Sequence, residues 1–382
     1  MDSEFIIMIK ENKFYSYNLG ELPDGCKYCV KGEKLVLFVT GLCPRSCYFC
    51  PISDKKYGKD VIFANEKNVN DFQDIITEAK NMDAKGAGIT GGDPLIKIDR
   101  TIEYIKLLKQ NFGGHFHIHL YTSLNLVNEN NLQRLYESGL DEIRFHPDLD
   151  SKINWEKISL AKKFKWGIGI EIPAIPTKFD EIKELIEFAH DKINFINLNE
   201  LEFADNSLSK LGELGFETKD EIGYAVKGSV ECGLKLIDFI ETRKYKLKVN
   251  LCTAKLKDKV QLTNRIKNEG RNVKREFDKI TNEGLLIRGA LYLPGFYPGL
   301  TYENSKNEET KNKLDFFYNK LKDIFKIKDS KISIDYEKNR ILLSKNDIKM
   351  NKKKFLNLGL TPAIVTEYPT ADQFEIEVEV LK

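Results

Sequence analysis

From Leu35 to Asn199, short apolar runs alternate with longer stretches in which apolar residues recur at helical spacing. The runs predict strands at 35–40, 85–90, 115–122, 141–146, 166–172 and 193–199. The stretches between them predict helices near 69–82, 98–111, 129–138, 154–164 and 179–190; in the first of these Phe72, Ile75, Ile76 and Ala79 share one face. This alternation is the pattern of βα units around a parallel sheet, whose chemistry sits at the carboxyl ends of the strands. Before it, residues 4–18 read as a small hairpin, Phe5–Ile9 against Lys13–Tyr17. After it, residues 205–228, polar and carrying Gly212, Gly215, Gly223 and Gly228, form a long excursion suited to a lid, followed by a helix near 229–243.

The last hundred residues change pattern. A strand at 285–293, a helix at 309–325, strands at 331–336 and 340–345, a helix near 347–357 and strands at 362–367 and 373–380 give β-α-β-β-α-β-β, a ferredoxin-like order with one added strand. Pro294-Gly295 and Pro298-Gly299 mark turns after its first strand. The expected divisions are residues 1–32 (hairpin and first cysteines), 33–204 (βα units), 205–282 (lid and an amphipathic basic helix from Lys255 through Lys274 and Phe277) and 283–382. A charge run like that of the basic helix is read first as a solvated face.

Charge narrows the partners little: 60 Lys and Arg against 58 Asp and Glu leave +2 over 382 residues, which gives no argument for a polyanionic partner. No run of 18 apolar residues occurs, and Met1-Asp2-Ser3-Glu4 lacks a signal-peptide pattern, so the expectation is a soluble cytoplasmic protein with no membrane partner. Five of the seven cysteines fall between residues 26 and 50, and in a cytosolic chain such a cluster reads as metal ligands before disulfides.

Cys43, Cys47 and Cys50 fall in one short loop just after the run Leu35–Val39. Thiolates are soft ligands that select zinc, copper(I) or iron–sulfur clusters, and three of them can cap three corners of a cubane, leaving the fourth open. The competing reading is a zinc knuckle that takes its fourth ligand from Cys26, Cys29 or a distant histidine. Cys26 and Cys29 form a C-x2-C of their own, with Cys252 the favoured partner and Cys232 a weaker one that also reads as a packed apolar residue. The turn Gly91-Gly92-Asp93-Pro94 follows the second strand, and its glycines let backbone approach a ligand closely. Arg144 and His146 end the fourth strand and could bind an anion or form structural contacts. His115, His117 and His119 alternate along a strand and read as packing and hydrogen-bonding groups.

The thiol triplet resembles the C-x3-C-x-aromatic-C signature of the radical SAM enzymes, and Gly91-Gly92-Asp93-Pro94 resembles their Gly-Gly-Glu-Pro motif, with Asp in place of Glu. With Cys26 and Cys29 ahead, and Ile172-Pro173-Ala174-Ile175-Pro176 and Asn197-Leu198-Asn199-Glu200-Leu201 behind, the chain is similar to archaeal radical SAM proteins related to pyruvate formate-lyase activating enzymes. The resemblance implies an α/β fold, a six-stranded partial (β/α)6 barrel, followed here by the ferredoxin-like α+β domain. It implies a [4Fe–4S] cluster on Cys43, Cys47 and Cys50 whose open iron binds S-adenosylmethionine, reductive cleavage to a 5′-deoxyadenosyl radical, and hydrogen abstraction from a substrate. By the same similarity Gly91 to Pro94 meet the cofactor's amino group, Glu171 is within reach of the ribose or a neighbour, and backbone near Leu198 meets the adenine edge; Phe49 is expected beside the adenine or the cluster, and Arg144 is a candidate for the cofactor carboxylate, a substrate anion or a salt bridge. A reducing partner such as ferredoxin or flavodoxin is implied. Cys26, Cys29 and Cys252 are candidates for an auxiliary cluster. The extra domain favours modification of RNA or protein; the alternatives are activation of a glycyl-radical enzyme and a zinc-stabilised, non-catalytic binding module.

Overall fold

The computed structural model describes residues 9–296 and 307–382, in two compact units, Met1–Asn264 and Arg265–Lys382. The expected first arm of the hairpin and the Pro298-Gly299 turn lie outside the described residues.

In the first unit the described residues form a ten-stranded mixed sheet. In chain order its strands are β1 (Tyr17–Leu19), β2 (Lys34–Phe38), β3 (Phe63–Ala64), β4 (Lys67–Asn68), β5 (Gly86–Thr90), β6 (His117–Ser123), β7 (Glu142–His146), β8 (Gly167–Ala174), β9 (Phe195–Glu200) and β10 (Lys248–Cys252). β2, β5, β6, β7, β8, β9 and β10 pair parallel in that sequence. The six strands expected from the apolar runs are therefore present, and a seventh, β10, extends the parallel series. β1 lies antiparallel to β10, Tyr17 opposite Leu251.

The connecting helices are α2 (Phe72–Asn81), α3 (Ile98–Phe112), α4 (Glu129–Glu137), α5 (Phe179–Ala189) and α6 (Ser229–Thr242), preceded by the short α1 (Asp24–Cys29). α2 starts at Asp71, whose carboxylate accepts from Gln73 N and Asp74 N, while Asp74 answers at the cap backbone; this reciprocal cap satisfies donors the helix itself cannot. The helix expected at 154–164 is instead 3₁₀ over Trp155–Lys163. Its buried residues Trp155, Ile158 and Ala161 recur every third position, which matches three residues per turn.

The sheet has two chemically different faces because side chains alternate along a strand. Leu35, Leu37, Ala87, Ile89, Ile118, Leu120, Ile143, Phe145, Ile170, Ile172, Ile196, Leu198, Val249 and Leu251 build one continuous core with the helices; each large side chain so buried contributes about 1.5–3 kcal/mol. The intervening positions carry Lys34, His117, His119, Tyr121, Glu142, Arg144, His146, Glu171, Asn197, Asn199, Asn250 and Cys252. α1 lies on this polar inner face. Its Gly25 is required there, since a Cβ would stand 2.4 Å from the Arg144 guanidinium and 2.5 Å from His119 Nδ1.

Among its described residues the second unit is a six-stranded antiparallel sheet with helices. Its strands are β11 (Lys279–Ile280), β12 (Leu286–Tyr292), β13 (Ser333–Asp335), β14 (Arg340–Leu343), β15 (Thr361–Glu367) and β16 (Glu375–Val380), in the order β13-β14-β12-β15-β16 with β11 beside β12. The helices Glu308–Phe325 and Lys345–Asn357 are capped by the side chains of Asn307 and Ser344. Arg340 and Arg288 are buried and bridged by Glu367; Asp278 also pairs with Arg288, and Asp335 and Glu375 with Arg340. The division falls at 264/265, ahead of the expected 282/283: Gly270 packs against the Gly284 carbonyl, so the helix Thr263–Val273 is tied to the strands that follow it. The basic stretch is itself interrupted by π-helical turns over Lys257–Leu262.

Candidate active site

β2 and β5 are neighbours, and their pairing carries on past both strands: Val39 N donates to Thr90 O, Gly92 N to Thr40 O and Asp93 N to Leu42 O. The Gly91-Gly92 turn thus lies directly against the start of the cysteine loop. Gly92 has no room for a side chain, because a Cβ would meet the Leu42 carbonyl oxygen at 2.1 Å and Cys43 Cβ at 3.0 Å. Gly92→Ala is therefore expected to push Cys43 out of position and to cut iron retention at least tenfold while the rest of the unit stays folded, as iron analysis beside circular dichroism would show; full iron retention would contradict it.

Asp93 does a different job from the one the motif suggests. It is fully buried, and its two oxygens accept from Leu95 N, Thr122 Oγ1, Ser123 N and Ser123 Oγ. It fixes the glycine turn to the end of β6. Pro94 is buried as the first residue of a 3₁₀ turn. Only Gly91 and Gly92 of this motif are partly open to a ligand.

Cys43, Cys47 and Cys50 are all half-buried. Burial pushes the Cys43 thiol up to about 11 and raises those of Cys47 and Cys50; the Arg45 N–H opposes this at Cys43, the Arg45 charge at Cys47 and the Ile52 N–H at Cys50. Those donors suit bound thiolates, since hydrogen bonds to the sulfurs are part of how proteins hold and tune iron–sulfur centres. The loop is braced from both sides. Arg45 donates to His146 O at 2.8 Å and pairs with Asp148. From the 205–228 excursion, Asn206 Nδ2 donates to Cys50 O and Ile52 O at 2.9 Å, and Lys210 N donates to Tyr48 O. Neither Arg45 nor Asn206 was singled out from sequence; Arg45 carried a signal in lying between two cysteines, and Asn206 none beyond the length of its loop.

Beside the loop is a cavity of about 290 Å³ at the carboxyl ends of β7 and β8, lined by Cys47, Phe49, His146, Ile172, Pro173 and Lys178 among others. Phe49 lies edge-on to Tyr48 and 5.8 Å from the His146 ring. His146 Nδ1 donates to Glu171 O at 2.8 Å, which fixes the tautomer and leaves Nε2 as an acceptor. Burial lowers the His146 imidazole to about 4, helped by the Arg45 charge. Its folded value lies below the ordinary 6.5, so the unfolded chain takes the proton first. This contribution to stability is complete above about pH 6.5 and is lost as pH falls toward 4. Urea titrations should show it, and His146→Gln should flatten that part of the profile.

Three expected cofactor contacts lie elsewhere. Arg144 is buried on the inner face, bonded to Glu142 Oε1 (Nε at 2.6 Å) and Glu171 Oε2 (2.7 Å). Glu171 is held by Arg144, Asn197 and Asn199. Leu198 is wholly buried in the core between Ile172 and Leu251; on a central strand the residues facing inward are its neighbours, Asn197 and Asn199. His117 and His119 also face inward, bonded to Lys34 and Tyr121, whereas His115 precedes the strand and is exposed. Cys232 packs in the core, its thiol 3.5 Å from Ile175 O.

The Radical SAM superfamily profile matches residues 37–198, which span the cysteine loop and β2 to β9. A Methanocaldococcus jannaschii protein named "Putative glycyl-radical enzyme activating enzyme MJ0021" is 39% identical over 374 residues, 96% of this chain and 94% of that one. The chain belongs to the radical SAM superfamily. It is thus an enzyme of a superfamily that uses a [4Fe–4S] cluster and S-adenosylmethionine. A Saccharolobus islandicus protein named "Probable GTP 3',8-cyclase" is 25% identical over 50% of this chain and 62% of that one. Among solved structures, Streptococcus suis SuiB bound to S-adenosylmethionine aligns with a TM-score of 0.41 at 16% identity, over 58% of this chain and 50% of that chain. Among the described residues, no helix is long and apolar enough to cross a membrane.

The donor set fits the superfamily's cluster. Three soft ligands stand on one braced loop, backbone N–H groups oppose the proton at Cys43 and Cys50, and the glycine turn abuts the loop's first cysteine. Cys43, Cys47 and Cys50 would hold such a cluster, which would supply the electron for cleavage of S-adenosylmethionine. Gly91 and Gly92 present backbone beside the loop, and Phe49 and the neutral His146 wall the cavity.

Proposed function

We propose that this radical SAM enzyme acts on a protein, generating a glycyl radical on a partner enzyme by abstracting a hydrogen atom from a glycine Cα. The observation that carries this is the 39% identity to the M. jannaschii protein over 94% of its length, because a likeness of that extent includes the segments outside the radical SAM match at residues 37–198. One hydrogen atom moves from the glycine to the 5′-deoxyadenosyl group, leaving 5′-deoxyadenosine and methionine, and the electron comes from a ferredoxin or flavodoxin. The βα strands 35–40 to 193–199 are read here as a six-stranded partial barrel. The second unit is read as a ferredoxin-like domain that docks the partner, a reading supported by its order β13-β14-β12-β15. Of the site residues, Cys43, Cys47 and Cys50 hold the cluster, Gly91, Gly92 and Phe49 contact the cofactor, and Asp93 and Pro94 shape the turn.

The test is anaerobic turnover of the reconstituted enzyme with S-adenosylmethionine and dithionite, adding either the protein or the RNA fraction of cells of its source. Stimulation of 5′-deoxyadenosine formation by protein, with a glycyl-radical EPR doublet, is expected. Stimulation by RNA alone would replace this reading with RNA modification.

A further inference from the structure

Of the chain's seven cysteines, Cys232 packs in the core and Cys43, Cys47 and Cys50 stand in the motif loop, which leaves Cys26, Cys29 and Cys252 on the inner face. Cys26 and Cys29 come from α1, and Cys252 ends β10. Cys26 and Cys252 are buried, and Cys29 is half-buried. Cys26 Sγ contacts Asn197 on β9, whose partner Asn250 on β10 stands two residues before Cys252 on the same face, and Val30, next to Cys29, shares a cluster with Cys252.

Their surroundings differ from those of a packed thiol. Cys232 shows what packing looks like here, with an apolar core around it and a carbonyl oxygen to receive its S–H. Cys26 Sγ instead faces donors, Asn197 Nδ2 at 3.3 Å and the Arg144 guanidinium at 3.6 Å, with the Asn197 amide oxygen farther away at 3.7 Å. Cys252 Sγ lies 3.8 Å from Gln261 Nε2, and the Lys257 ammonium acts on it. Cys26 and Cys252 thus meet N–H groups, the setting that stabilises bound thiolates. Among the described residues no three His, Cys, Asp or Glu side chains converge on a single-ion position. That holds equally for Cys43, Cys47 and Cys50, and a cubane does not require convergence, because each thiolate binds a different iron.

We propose that Cys26, Cys29 and Cys252 hold a second iron–sulfur cluster on the inner face of the sheet, with three protein thiolates and one iron open to a further ligand. From this site a continuous set of contacts runs to the motif loop. Arg144 joins Cys26 to Glu171, Glu171 O accepts from His146, and the His146 ring lies beside Phe49, the residue before Cys50. Arg144, Asn197 and Gln261 are its positioning residues. The assignment does not depend on the identity of the substrate.

The experiment measures iron, acid-labile sulfide and zinc, with EPR of the dithionite-reduced protein, on the anaerobically reconstituted full chain. It compares the parent, a Cys43/Cys47/Cys50→Ala variant, a Cys26/Cys29/Cys252→Ser variant and Cys232→Ala. About eight irons are expected in the parent and in Cys232→Ala, and about four in each triple variant. The signal remaining in the Cys43/Cys47/Cys50→Ala variant should not respond to S-adenosylmethionine. About four irons in the parent with none in that variant, or stoichiometric zinc on the outer cysteines, overturns the proposal. Because that variant keeps the outer cysteines intact, the outcome stands even if the other triple variant does not fold.

Discussion

Cys47→Ala is expected to abolish S-adenosylmethionine cleavage and to remove the iron bound by the motif loop, while the protein remains folded. Two thiolates cannot replace three on a centre whose remaining corner must stay open to the cofactor. The fold should survive because the loop is held by contacts that do not involve the Cys47 side chain: Arg45 on His146 O, Asn206 on Cys50 O and Lys210 on Tyr48 O. The hydrophobic cluster of Ile175, Leu201, Leu211 and Val226, against which Tyr48 and Phe49 pack, also stays. Chromatographic detection of 5′-deoxyadenosine in anaerobic single turnover, with iron analysis and a thermal melt, tests this. Cleavage at the parent's rate would remove Cys47 from the ligand set. Loss of the cooperative melt would make the loop a folding element first.

Arg144→Met should cost about 3–5 kcal/mol of stability, because it leaves two carboxylates without their cation on a buried face. Arg144 and Glu142 are each only 2% exposed, and the guanidinium meets both Glu142 and Glu171. Removing the guanidinium strands Glu142 in particular, whose other neighbours are Gly25 N at 3.3 Å, His117 at 3.7 Å and His119 at 4.0 Å. Anaerobic urea unfolding reads the loss. Adding Glu142→Gln to Arg144→Met should restore part of it, since the uncompensated charge is then gone. A cost below about 1 kcal/mol would mean that water or a ligand solvates the carboxylates when the arginine is absent.

The two changes illustrate where sequence reasoning reached and where it stopped. The thiol triplet was legible because its ligands are consecutive on one loop, so spacing alone brings them together. Gly91-Gly92 was legible because a parallel βα unit places successive strand ends side by side. The motif and the resemblance imply cofactor contacts at Asp93 and at backbone near Leu198; what sequence leaves out is that the Asp93 carboxylate is engaged by Thr122, Ser123 and Leu95 and that the Leu198 side chain is buried. Arg144 could have served a cofactor or a salt bridge. Its partner Glu171 lies one strand away, and its partner Glu142 two residues earlier on the same face.

By itself, the sequence determined the parallel strands from Leu35 to Asn199, the helices between them, the strand and helix order of the last hundred residues and the radical SAM loop. These follow from local periodicity and from ligands close in the chain, which short-range physics settles. Only the tertiary structure decided that β10 joins the parallel series, that α1 lies on the polar inner face, and that Cys26, Cys29 and Cys252 meet beside Arg144 and Asn197. Those contacts join residues far apart in the chain, Lys248 with Phe195 and Arg144 with Cys26 among them. Which strands become neighbours, and which of their faces is left for polar groups, depends on how the whole sheet buries its apolar side, and no single stretch of sequence carries that information.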